Sequence, residues 1–156
     1  FMEWFCDLPY RHKVFIAGNH DFCLRGASLE GLNDNCHYLC NSGVLIDGIK
    51  FYGVPMFFED AVTRRVENDF MNIPADTDVL VTHQPPNDIL DLSYEIHYGD
   101  SVLWRRVMLV RPKLHLFGHI HKAEGVEERN GTVFSNGAVL GEGYDLTDTD
   151  IHILTV

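Results

Sequence analysis

Leu114-His115-Leu116-Phe117-Gly118-His119-Ile120-His121 is a short, largely apolar strand that breaks through glycine into a turn carrying two histidines. The same design occurs twice more. Val14-Phe15-Ile16-Ala17-Gly18 runs into Asn19-His20-Asp21, and Val79-Leu80-Val81-Thr82 runs into His83 and then Pro85-Pro86. Short apolar strands alternating with amphipathic stretches are the pattern of an α/β fold. In open α/β sheets, ligands bind beyond the carboxyl ends of the strands. Three histidine-bearing strand ends therefore point to one shared site.

Working outward from those strands, the remaining elements fall into place. Val44 to Val54 reads as a hairpin, with Asp47-Gly48 at its tight turn, and Gly125 to Ser135 as another, turning at Asn130-Gly131. Helical spacing is read over Ala61 to Asn72, stopping before Pro74, and over Ser101 to Val110, stopping before Pro112. Gly99-Asp100 reads as the start of the second of these. A helix is expected within Leu24 to Leu39, and a closing strand over Ile151 to Val156. No repeat, linker or low-complexity tract divides the chain, so residues 1–156 are read as a single domain.

The composition narrows the function. With 46% hydrophobic and 22% charged residues the chain is an ordinary globular protein. No apolar run nears the ~20 residues that cross a bilayer, which argues against a membrane protein. A net charge of −11 argues against nucleic-acid binding, because phosphate backbones call for clustered Lys and Arg. Cys6, Cys23, Cys36 and Cys40 read as reduced thiols, which places the protein in the cytoplasm. Cys36, His37 and Cys40 have the spacing of half a zinc site, but a closed site needs four ligands and no second pair exists.

Neutral imidazole is the commonest side-chain metal ligand near physiological pH. Together with the Asn19 oxygen, the histidine turns suit Zn, Mn, Fe or Ni better than Ca or a thiolate site. In an extended segment, residues two apart face one side, so His119 and His121 are expected to reach the same cavity. Gly118 would relieve crowding there. A lone histidine more often just makes a hydrogen bond, and that reading is kept for His12, His37, His97, His115 and His152. His115 is out of phase in its strand and should face the opposite layer. No Gly-x-Ser-x-Gly, Walker or dinucleotide glycine motif occurs.

Gly18-Asn19-His20-Asp21, the isolated His83 and Gly118-His119-Ile120-His121 resemble, in order and spacing, the blocks of the calcineurin-like metallophosphoesterases. The likeness extends to Tyr38-Leu39, Gly48 to Pro55, Thr82 to Pro86, Ile89 to Asp91 and Arg111 to Gly118, which are similar to the subgroup of metallophosphoesterase-domain proteins. The resemblance implies an α-β-β-α sandwich of two mixed sheets with helices outside. It implies that Asn19, His83 and His119 ligate one divalent metal and His121 a second. It implies that His20 is the general acid toward the leaving group, with Asp21 orienting its ring, while a metal-held hydroxide attacks a phosphodiester or phosphomonoester.

The front of the chain departs from that family. Its members open with an Asp-x-His block and a Gly-Asp block, and the 18 residues before Asn19 contain neither. Two expectations follow. The first sheet is N-terminally incomplete, and the chain self-associates through exposed strand edges or is a piece of a longer protein. The alternative to an enzyme is a truncated, inactive homologue that binds a metal or a nucleotide. Pro55-Met56-Phe57-Phe58 and Asn87-Asp88 are expected to shape the substrate pocket, with Phe57 and Phe58 either stacking on a base or serving the core. No residue names the substrate beyond a small phosphate ester or nucleotide.

Overall fold

A computed structural model describes residues 2–141, 143–148 and 151–156. In chain order the elements are α1 (Met2–Asp7), β1 (Lys13–Phe15), β2 (Cys36–Tyr38), β3 (Ser42–Ile46), β4 (Ile49–Val54), α2 (Phe58–Val62), α3 (Val66–Met71), β5 (Val79–Thr82), β6 (Leu92–Ser93), β7 (Ile96–His97), α4 (Ser101–Val110), β8 (Leu114–Phe117), β9 (Gly125–Arg129) and β10 (Thr132–Asn136). Single 3-10 turns cover Phe22–Leu24 and His121–Ala123.

Six strands form the main sheet in the order β3-β4-β5-β8-β10-β9. Its four central strands are parallel, and an antiparallel hairpin arm closes each side. Both arms turn where the sequence provides for a left-handed backbone. Asp47 and Gly48 have φ of 51° and 84°, and Asn130 and Gly131 have 55° and 81°. Those are the angles of a two-residue hairpin turn.

One face of the sheet packs on α3 and α4. Asp100 caps α4, its Oδ1 accepting from the Val102 and Leu103 amides at 2.7 and 2.8 Å. One turn apart, Leu103 and Val107 point into the sheet and are fully buried with Leu80, Phe134, Phe70 and Ile73. Burial of each such side chain contributes about 1.5–3 kcal/mol. Arg111, left-handed at φ 52°, ends the helix before Pro112.

The opposite face carries the smaller sheet, in which β1 pairs in parallel with β2. Gly53 on β4 makes this approach possible. A Cβ there would lie 2.4 Å from Leu39 Cβ and 2.8 Å from Ile16 Cγ2. On the same side His152 receives the Ser135 hydroxyl and faces Glu124 Oε1, both at 2.7 Å, so the final residues are tied to β10 and to the segment before β9. The fold is thus the expected α/β sandwich, with only β1 and β2 in its smaller sheet among the described residues.

Three sequence expectations change. Leu24 to Leu39 forms no α-helix; it holds a 3-10 turn and β2, because Gly26 and Gly31 adopt φ of 68° and 77° and interrupt any helix. The helix read over Ala61 to Asn72 is two, α2 and α3, broken at Arg64, whose φ is 59°. Residues 151–156 form no strand; the side chain of His152 ties them to Ser135 of β10. No helix of the described residues is long and apolar enough to cross a membrane.

Candidate metal centre

The three histidine turns do converge. β5 and β8 are adjacent and parallel, so His83 and Gly118-His119 leave the sheet at the same edge, and Gly118 N–H donates to His83 O at 3.1 Å. The turn after β1 reaches them from the smaller sheet. Asn19, His20, His83, His119 and His121 line one cavity of about 480 Å³, together with Ser93, Tyr98, Lys122 and Tyr144.

Within it, His83 Nε2–H donates to Asn19 Oδ1 at 2.7 Å, and the His83 and His119 rings lie with centroids 4.7 Å apart. The two side chains that the resemblance implies share one metal therefore face each other directly. Burial, then the charges His119, His20 and His121 could carry, pulls the His83 pKa down to about 3. Burial, followed by His121 and His20, lowers that of His119. Both rings are neutral at physiological pH, the form that ligates. His121 Nδ1–H donates to Gly141 O at 2.9 Å, which leaves its Nε2 lone pair for a ligand.

Two local details differ from expectation. His119 is left-handed, with φ 71°, and His121 opens a 3-10 turn, so the segment is not extended. Both rings border the cavity nonetheless, because the turn reverses the chain around them. Nor is the tight glycine Gly118, whose added Cβ would meet nothing within 4 Å. It is Gly18, where a Cβ would lie 2.7 Å from His83 Cε1 and 2.9 Å from Nδ1.

Asp21, which the resemblance implies orients the His20 ring, bonds the backbone of Gly18 in this structure. Its Oδ2 accepts from Gly18 N at 2.7 Å and its own amide donates back to Gly18 O at 3.1 Å, closing the Gly18–Asp21 turn. The His20 ring instead stands edge-on to Tyr144, with centroids 6.5 Å apart. Pro55 to Phe58 and Asn87-Asp88 do not line this cavity. Met56 and Phe57 are buried, settling Phe57 as core, while Phe58 is exposed.

Other residues of the site carry little or no sequence signal of their own. Asn136, fully buried at the end of β10, donates to Ile120 O at 2.9 Å and to Leu90 O at 3.1 Å, pinning the turn between His119 and His121. Lys122 could be found from its place beside His121, and its ammonium stands 3.2 Å from the centroid of Tyr94. Tyr98 and Tyr144 sit in irregular segments that no periodicity marks. The histidines set apart from the site each have a hydrogen-bond partner away from it: His12 faces His37, His97 meets Asp91, His115 meets Thr82 and His152 bridges Ser135 and Glu124.

The donor set of three imidazoles and one amide oxygen suits one mid-series divalent ion. It offers no bridge to a second, since no Asp or Glu is among the described lining residues. Among the described residues no three His, Cys, Asp or Glu side chains are already gathered at ligating distance. Asn19 and His83 instead satisfy each other.

Known proteins resemble this chain. The family model for calcineurin-like phosphoesterases matches residues 1–123. The UPF0046 protein C25E10.12 of Caenorhabditis elegans is 30% identical over an alignment covering 94% of this chain and 64% of that protein. Human metallophosphoesterase domain-containing protein 1 is 29% identical, with 98% of this chain and 58% of that protein covered. The chain thus spans less than two thirds of the length of these relatives. Among solved structures, TT1561 of Thermus thermophilus superposes with a TM-score of 0.53 over 79% of this chain and 61% of that one, at 12% identity, a likeness of fold alone.

Proposed function

This chain belongs to the calcineurin-like phosphoesterase family, and from that premise we propose that it forms the metal-binding catalytic portion of a phosphoesterase acting on small phosphodiesters or phosphomonoesters. The observation that carries the reading is the single cavity bordered by Asn19, His20, His83, His119 and His121. His83 and His119, neutral through burial, and Asn19 would hold one divalent ion, with the Nε2 of His121 toward the same space. Such an ion polarises phosphoryl oxygens and activates water. His20 borders the cavity without a hydrogen-bond partner among the described residues and would hold the proton for the leaving-group oxygen.

One observation favours a second reading, a metal- or nucleotide-binding module without turnover: the described lining of the cavity has no carboxylate. Metal content by elemental analysis, with hydrolysis of an aryl phosphodiester and an aryl phosphomonoester assayed with added manganese, separates the two. Metal with turnover that His20→Asn abolishes supports the enzyme. Metal without turnover leaves the binding module, and no metal at all sinks the enzyme and confines the second reading to nucleotide binding, which a nucleotide titration then checks.

Two further expectations stand as proposals. Among the described residues β1 and β2 pair only with each other, which leaves both edges of the smaller, incomplete sheet open and supports self-association; a monodisperse monomer by light scattering would overturn it. All four cysteines are free, which supports a reducing compartment such as the cytoplasm; intact thiols in protein isolated under alkylating conditions are the check.

A further inference from the structure

The hairpin β6–β7 supplies Ser93 and Tyr98 to the cavity wall, yet little in its own sequence holds it together. Each strand has two residues, and isolated hairpins are marginal even when longer. Its turn, Tyr94-Glu95, has φ of 47° and 64° without the Gly, Asn or Asp that such a turn favours. Leu90 and Asp88 are left-handed as well, at 45° and 69°. A segment so disfavoured persists only where its surroundings over-determine it.

Asp91 does that. Its side chain is 1% exposed. Oδ2 accepts from the amides of Asp88 and Gly99, both at 2.9 Å, and Oδ1 accepts from His97 Nδ1–H at 2.6 Å. Tyr98 N–H donates to the Asp91 carbonyl at 3.1 Å. Both limbs of the hairpin therefore hang on one carboxylate. Gly99 is required for it, since a Cβ there would lie 2.3 Å from Pro86 O and 2.6 Å from Asp91 Oδ2. At the tip, the Lys122 ammonium holds the Tyr94 ring.

A buried carboxylate is costly unless paired, and protonated His97 is the cation bonded to this one. We propose that Asp91 is a positioning residue for the cavity and His97 its latch: the hairpin is held against the histidine cluster while His97 is protonated and slackens when the proton leaves. In its substrate consequence this rests on the phosphoesterase reading. The charged groups around the latch are Asp91, Asp88 at 3.7 Å from His97 Nε2, and Arg129 of β9 reaching Asp88 at 3.9 Å, with Lys122 at the tip.

The hydrogen bond to Asp91, and then its charge, raise the His97 pKa above the ordinary value. The latch is therefore complete below about pH 6.5 and is lost as pH rises through the raised value.

The test is hydrogen exchange of the amides from Leu92 to Gly99, corrected for the intrinsic pH dependence, in the wild type and in His97→Gln. Michaelis constants for an aryl phosphate are measured across the same pH range. Protection in the wild type should fall about threefold from below to above the titration, the scale of a half-exposed ion pair. His97→Gln should be low and flat throughout. KM should rise as protection falls, with kcat not following it. Flat protection in the wild type, or an unchanged slope in His97→Gln, would overturn the latch. Protection that behaves as expected in a protein that hydrolyses nothing keeps the latch and removes the phosphoesterase reading instead.

Discussion

His83 Nε2 and Asn19 Oδ1 stand 2.7 Å apart, joined by a hydrogen bond between the ends of strands from two different sheets. For a metal to take both atoms, the proton on His83 must shift to Nδ1 and the pair must open around the ion. The contact that closes the site is therefore the contact that loading must break. Asn19→Ala and His83→Ala are each expected to lower metal affinity by about tenfold or more, measured by competition with a chelating dye. An Asn19→Ala protein that binds metal as the wild type does would remove Asn19 from the ligand set.

Two glycines give opposite outcomes. Gly18→Ala pushes a methyl into the His83 ring, at 2.7 Å from Cε1, and should cost about 1–3 kcal/mol together with metal binding. Gly118→Ala meets nothing within 4 Å and should leave both intact. Denaturant melts with metal titrations on the two variants provide the check, and a harmless Gly18→Ala would refute the packing argument.

Asp21 and His20 separate by chemistry. Because the Asp21 carboxylate serves the Gly18 amide, Asp21→Asn retains an acceptor and should keep most activity. Asp21→Ala should loosen the turn by roughly 1 kcal/mol. His20→Asn should lower turnover with metal content unchanged. A large loss in Asp21→Asn would instead restore the ring-orienting role.

Asn136 acts at one remove from the ligands. Removing its amide in Asn136→Ala takes the partner from the Leu90 carbonyl and from the Ala138 amide, while Ile120 O keeps its bond from Ala123 N–H, at about 1–3 kcal/mol for a buried unsatisfied group. Weakened metal binding is expected alongside, because that turn carries His119 and His121. Equal destabilisation with unaltered metal affinity would confine Asn136 to the fold.

His115 sets the acid limit of the fold. The Thr82 hydroxyl donates to Gln84 O, so His115 Nε2–H must donate to Thr82 Oγ1, at 2.9 Å, and Nδ1 is left as a bare, buried lone pair. Burial holds the ring's pKa at about 3. Between about pH 6.5 and that value the unfolded chain takes up a proton that the folded ring refuses, so stability falls as pH falls. His83 adds to the same window. His115→Phe should flatten part of this slope in urea melts run from neutral to acidic pH. An unaltered slope would mean that the ring is protonated in the fold.

How far residues announce their place depends on what fixes them. Val79–Thr82, Leu114–Phe117 and Ser101–Val110 adopt the expected forms because each is set by its own apolar pattern and its flanking glycine or proline. The histidine turns were legible for the same reason, since strand ends of a parallel sheet lie at one edge. β6 and β7 were not, because a long-range hub at Asp91 holds them and their turn lacks the usual residues. The Asp21 bond to the Gly18 amide was not legible, because one carboxylate can serve a ring or a backbone amide with equal local plausibility. The crowding at Gly18 comes from a side chain 65 positions away in the chain, and no local pattern can report it.

The left-handed backbone at residue 119, φ 71°, also restricts which mutations the lineage can sample there. Apart from glycine, the residues that tolerate this conformation best are Asn, Asp and His. Each of those three can donate to a metal. Drift at this position is thus filtered by peptide geometry before selection on activity acts, and most variants that escape the filter's strain still present a ligand, one of them an anionic oxygen suited to a harder ion.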